Sequence, residues 1–94
     1  MDVKVFIPSQ AMTFETVQAD CQRLHQFCQD NKEPILNLQL SEVLQCDSAG
    51  LAFLIEAKRL CAHQNKTCNI IGLPQVVQAL AEFCGVNEML DLAV

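Results

Sequence analysis

Two groups of residues have types and spacings that chemistry could use. The first is Asp47-Ser48-Ala49-Gly50, between a strand-like apolar run at 35–40 and a helix-like apolar run from Leu51. An acid, a hydroxyl and two small residues there stand at a helix N-terminus. The first N–H groups of a helix lack intrahelical partners and carry partial positive charge. One use is a cap: Asp and Ser are among the best N-cap residues, worth roughly 1 kcal/mol, and Gly50 lets the turn pack closely. The other is a contact or phosphorylation point at Ser48. A phosphate there gains from the helix end yet adds nearly two negative charges beside Asp47. It leaves the domain folded while blocking an acidic or apolar partner surface. The residue types alone leave both uses open.

The second group is Cys21, His25 and Cys28, at spacings of four and three on one helix face. These could ligate zinc in principle, but the two cysteines sit in the centre of an apolar stripe and no fourth ligand is evident. Cys61 and His63 point to different sides of a helix, with no orienting group or oxyanion hole to make them a nucleophile pair. The three glycines are scattered, so no loop cradles a phosphate. Ser48 lacks the Gly-x-Ser-x-Gly setting of a hydrolase. No catalytic residue, metal or cofactor is expected.

The 94 residues suit one domain, 1–94, and an apolar share of 51% is enough for a core without staples. A net charge of −5 disfavours nucleic acid and anionic membrane surfaces. The longest apolar run, 49–55, is too short to cross a bilayer. No signal-peptide pattern opens the chain, so the expected compartment is the cytoplasm. The six cysteines lie in apolar periodic segments and are expected to be reduced, mostly core residues.

The elements that position these residues are read from periodicity. Val3–Ile7 alternates as a strand, which Pro8 ends. Thr13 is placed as the N-cap of a helix running to about Asn31. Its apolar face holds Phe14, Val17, Cys21, Leu24 and Cys28, with Asp20 and Arg23 on the polar side. A loop at 31–34 leads to a central strand at 35–40, and a short connection at 41–46 leads to the turn. A second helix spans about 49–65, a third strand 67–72, and a third helix 74–84, with Pro74 in its first turn and Gly85 as its stop. Residues 87–92 are read as one more helical turn. Alternating strands and helices predict an α/β fold with a small, mostly parallel sheet and helices packed mainly on one face.

The stretch Leu36-Asn37-Leu38-Gln39-Leu40, then Val43 and Cys46-Asp47-Ser48-Ala49-Gly50-Leu51-Ala52-Phe53-Leu54, resembles the STAS domain family. Its signature is a strand, then Asp-Ser/Thr-x-Gly-Leu, then a helix. Cys68–Leu73 and Val76–Val86 look like the family's next strand and third helix, so the resemblance covers roughly 35–92. It implies a non-catalytic protein-interaction domain. In one branch, the anti-sigma factor antagonists, the residue matching Ser48 is phosphorylated by a partner kinase. In another, the small STAS subunits (MlaB type) of phospholipid-trafficking ABC transporters that serve outer-membrane lipid asymmetry, a Ser or Thr there lies in the region that contacts the ATPase subunit. The short chain, the Ser-Ala-Gly turn and a single strand before the first helix favour the transporter branch. That reading puts the chain at the cytoplasmic side of the inner membrane, held there by its partner.

Helix two is apolar on all sides but a stripe holding Glu56, Arg59 and His63, wider than a surface helix needs. Either the flanking helices cover the excess or one apolar edge binds a partner. If Leu51, Leu54 and Cys61 face the sheet, as the family pattern implies, then Ala52, Phe53 and Leu60 lie outward. The expected partner-binding set is therefore Asp47, Ser48, Ala49, Gly50, Ala52, Phe53 and Glu56.

Overall fold

A computed structural model describes residues 4–90. In chain order its elements are β1 (Val5–Phe6), β2 (Ala11–Met12), α1 (Val17–Asp30), β3 (Ile35–Gln39), β4 (Gln45–Cys46), α2 (Ser48–His63), β5 (Thr67–Ile71) and α3 (Gln75–Cys84). β3 lies between β1 and β5 in a three-stranded sheet, parallel to both. The central place expected for 35–40 is the one it takes. The side-chain period of two sorts β3 cleanly: Leu36 and Leu38 are buried, while Asn37 and Gln39 point the other way. Cys68 and Ile70 of β5 pack on the same core, which also takes Leu24 and Cys28 of α1, the inner face of α2, and Val77 and Ala81 of α3. The opposite sheet face is mixed: Val5, Ile35 and Ile71 share it with Asn37, Gln39, Thr67 and Asn69, and Asn69 Nδ2 donates to Asn37 Oδ1 at 3.1 Å. The fold is thus α/β, with a small parallel sheet and helices on one face, as expected.

The N-terminal third differs from the reading above. Val3 lies outside the described residues, and two strands rather than one precede α1. β2 pairs in parallel with β4, Ala11 opposite Gln45 and Met12 opposite Cys46. The connection placed at 41–46 therefore ends in a strand. Two-residue strands show no alternation, so periodicity could not mark them. The single-strand argument for the transporter branch falls with this finding.

Thr13 is not the cap of α1, which begins four residues later, after Thr16. Residues 13–16 form a tight turn instead: the Thr16 and Val17 amides both donate to the Thr13 carbonyl at 2.9 Å. Thr16 Oγ1 accepts from the Thr13 amide and donates to the Ala11 carbonyl. Phe14 consequently leaves the buried stripe and is 81% exposed.

Asp20, placed on the polar face, is fully buried. Its Oδ1 accepts from Ser9 Oγ at 2.9 Å and Arg23 Nη2 at 2.7 Å, and its Oδ2 accepts from the Ser9 amide at 3.1 Å. A buried carboxylate is tolerated when its oxygens are bonded and a cation faces it. Arg23 continues the clasp by donating to the Ile7 carbonyl and lying 4.9 Å over the Phe6 ring. This network ties the β1–β2 link to α1.

The C-terminal elements match within a residue or two. Pro74 caps α3, and Gly85 ends it at φ +73°, a left-handed conformation in which glycine carries no Cβ penalty. Residues 87–90 make a turn; the rest of the expected final turn, 91–92, lies outside the described residues. The six cysteines carry free thiols, but only Cys28 and Cys61 are fully buried and Cys84 is exposed. No described helix is long and apolar enough to cross a membrane.

Candidate interaction site

The Asp47–Gly50 turn joins β4 to α2, and its residues divide the work. Asp47, in extended conformation, caps α2: its Oδ1 accepts from the Gly50 amide at 3.1 Å. Its Oδ2 accepts from the Phe14 amide, also at 3.1 Å. One carboxylate therefore closes the helix end and pins the 13–16 turn. Ser48 is the first residue of α2, and it is exposed. Its hydroxyl bonds to nothing among the described residues. The cap is Asp47, and the free hydroxyl is Ser48.

These amides hold the Asp47 carboxyl below its ordinary value of 3.8; the Phe14 amide is the largest cause, with Gly50 and Ala49 adding and desolvation partly opposing. A carboxylate with a depressed folded-state pKa adds stability above its unfolded pKa, and that stability is lost as pH falls through the folded value. Removing the charge with Asp47→Asn should lower the melting temperature at neutral pH and flatten the decline in stability below about pH 4. Melts from pH 6 down to about pH 2 check this; identical acid slopes in the two proteins would count against the clasp.

Gly50 is buried because α2 runs hard against β2. A Cβ there would press into the Met12 carbonyl oxygen and lie 2.8 Å from Cys46 Sγ. Its role is close approach, and it cannot reach a partner. Phe53 cannot either. It was placed outward but is 2% exposed, and Leu60 is buried as well. The flanking elements cover the apolar excess of α2, so the outward edge that Phe53 and Leu60 were to form does not exist. The exposed stripe of α2 carries Ser48, Ala52 and Arg59. Partly exposed Glu56 lies beside it, bonded to Arg59 by two hydrogen bonds and 3.9 Å from His25. Of the expected set, Ser48, Ala52 and Glu56 come together on this surface, with Asp47 and Ala49 partly exposed at its end.

Three apolar residues near this surface were not anticipated. Phe14 is carried by the turn that Asp47 holds. Leu44, just before β4, is 70% exposed beside a shallow hollow of about 230 Å³ lined by Gln10, Ala11, Leu44 and Gln45. Phe83 is 88% exposed on α3, which packs on β4. Its neighbour Cys84 is close enough to Cys46 to help raise that thiol's pKa. Phe83 was legible as an outlier: it lies two residues from Ala81, nearly opposite the buried Val77–Ala81 stripe of α3.

The Cys46 and Cys61 thiols are poorly suited to nucleophilic chemistry. Burial pushes Cys61 up to about 12, with Cys68 adding to the effect, and Cys46 up to about 11. The thiolate is the reactive form. Among the described residues no three His, Cys, Asp or Glu side chains are grouped to hold a metal.

An α/β body with an Asp47-capped helix end and an exposed Ser48 hydroxyl beside it matches the build of a small interaction or regulatory domain. The chain belongs to the STAS domain family: the family model for the MlaB STAS domain matches residues 10–91. No curated protein matches the chain in sequence.

Proposed function

We propose that the chain is a non-catalytic subunit of a phospholipid-transport ABC system and binds the system's ATPase subunit through the Ser48 end of α2. The observation that carries this reading is the division of labour in the turn. Asp47 spends both oxygens on the fold, which leaves Ser48 free to meet another protein. Ala52 and Glu56 extend the contact along the exposed stripe. The family match to the MlaB STAS domain supports the choice of partner. Docking would stabilise or regulate the ATPase at the cytoplasmic side of the inner membrane, with the chain needing no span of its own. Binding of the purified ATPase to wild type, Ser48→Glu and Ala52→Asp tests this. Both variants should weaken binding at least tenfold, with folding unchanged by circular dichroism; full binding by both removes the patch.

The presence of two strands before α1 keeps a second reading in play, an anti-sigma factor antagonist phosphorylated on Ser48. It predicts transfer of one phosphoryl group to Ser48 by a partner kinase, seen as about 80 Da of added mass. Finding genes for an ATPase, a permease and a periplasmic lipid-binding protein beside this one would favour the first reading, and finding those for a sigma factor and its kinase the second.

A further inference from the structure

The charges of the chain are sorted along its length. No Lys or Arg occurs in 5–22, 33–57 or 67–94, and the turn at 13–16, the 44–48 stretch and the end of α3 all fall within these runs. The runs carry Glu15 beside Phe14, Glu42 near Leu44, Asp47 beside Ser48, and Glu82 beside Phe83. Glu15, Glu42 and Glu82 are exposed, and none of the four acids has an ion pair among the described residues.

The six cations are held elsewhere. Arg23 is paired with Asp20, and Arg59 with Glu56. Lys66 donates to the Asn31 and Glu33 carbonyls at the start of the sheet, where Lys4 lines the same small hollow and Lys32 adjoins. Lys58 reaches the Cys68 carbonyl. Arg59, eleven residues along α2 from Ser48, lies roughly 16 Å away at 1.5 Å per residue. That is about twice the screening length at physiological salt, so Arg59, already paired with Glu56, does little to neutralise the acids beside Ser48.

Exposed Phe14, Leu44 and Phe83 thus each stand next to or within two residues of an acid that has no ion pair among the described residues. We infer that these three residues, each on a segment that adjoins β4 or its turn, share a docking face with Ser48, and that this face meets a surface of the ATPase that presents an apolar pocket rimmed by Lys and Arg. The inference rests on the reading above for the partner's identity and adds the chemistry of the contact. The acids attract and orient the partner, which acts on the association rate. The two aromatics supply anchoring area, which acts on dissociation.

Surface plasmon resonance with the purified ATPase subunit tests this, with thermal melts as the folding control. The association rate should fall about tenfold between low and high salt. It should also fall severalfold in Glu15→Gln/Glu82→Gln, and stay unchanged in Lys32→Gln at the opposite end. Phe14→Ser/Phe83→Ser should speed dissociation about tenfold. Their side chains are exposed, so melting should move little. Salt-independent association with no effect of either double variant overturns the inference, even where Ser48→Glu abolishes binding and the partner stands. No binding by wild type overturns the partner itself, and this inference with it.

Discussion

Gly50→Ala should destabilise the fold by about 1–3 kcal/mol, the range for overpacking a closed interior. Inside a helix, alanine is ordinarily better than glycine by roughly 1 kcal/mol. Here the sign reverses because of what the new methyl meets. The Cys46 thiol can turn aside, but the Met12 carbonyl belongs to the β2–β4 ladder. Relief therefore requires α2 to lift from β2, which loosens the Asp47 clasp as well. For a domain of this size each kcal/mol corresponds to about 4–8 °C of melting temperature. A variant that melts with or above wild type would show that α2 and β2 are not in close contact.

Phe53→Ala should cost more, about 3–5 kcal/mol, as for other buried phenylalanines. The Phe53 ring stands 6.3 Å from that of Phe6, which meets Phe27 edge-on at 5.7 Å. Loss of Phe53 opens a cavity where β1, α1 and α2 converge. Against a total stability of about 5–15 kcal/mol, that is enough to leave a weak native state. Denaturant titration should show a lower midpoint with an unchanged slope. Substitution of Phe53 would thus weaken partner binding by destabilising the fold, whatever the interface. Ala52, its exposed neighbour, is the residue that can report on contact. A wild-type midpoint in Phe53→Ala would restore Phe53 to the surface.

The misplacement of Phe53 shows where sequence reasoning stops. A helical wheel shows that α2 is apolar on nearly every side, but which sides are covered depends on elements distant in the chain. β3, α2, β5 and α3 were legible because each is long enough to display its period. β2 and β4 were not, since two residues have no period and their pairing spans 34 positions, from Ala11 to Gln45. Asp20 looked like an ordinary surface acid because its partner Ser9 comes from a link between strands. The turn itself was legible as a motif, and its internal assignment was not. Asp47 rather than Ser48 is committed to the fold because of an amide 33 positions away, on Phe14.

That distant amide bears on how the domain matures. The surface around Ser48 is discontinuous: Phe14 precedes α1, Ser48 follows β4, and Phe83 comes from the last helix. The parallel β2–β4 ladder needs the chain through Cys46, with α1 and β3 between its strands in sequence, and so non-local a pairing carries a loop-closure cost. A chain that has not yet been made through α3 lacks part of this surface. Any protein that binds there consequently recognises completed molecules. It also stabilises them, by about 2.7 kcal/mol at a hundredfold excess over Kd. Assembly and quality control would then be one event, read at a single carboxylate.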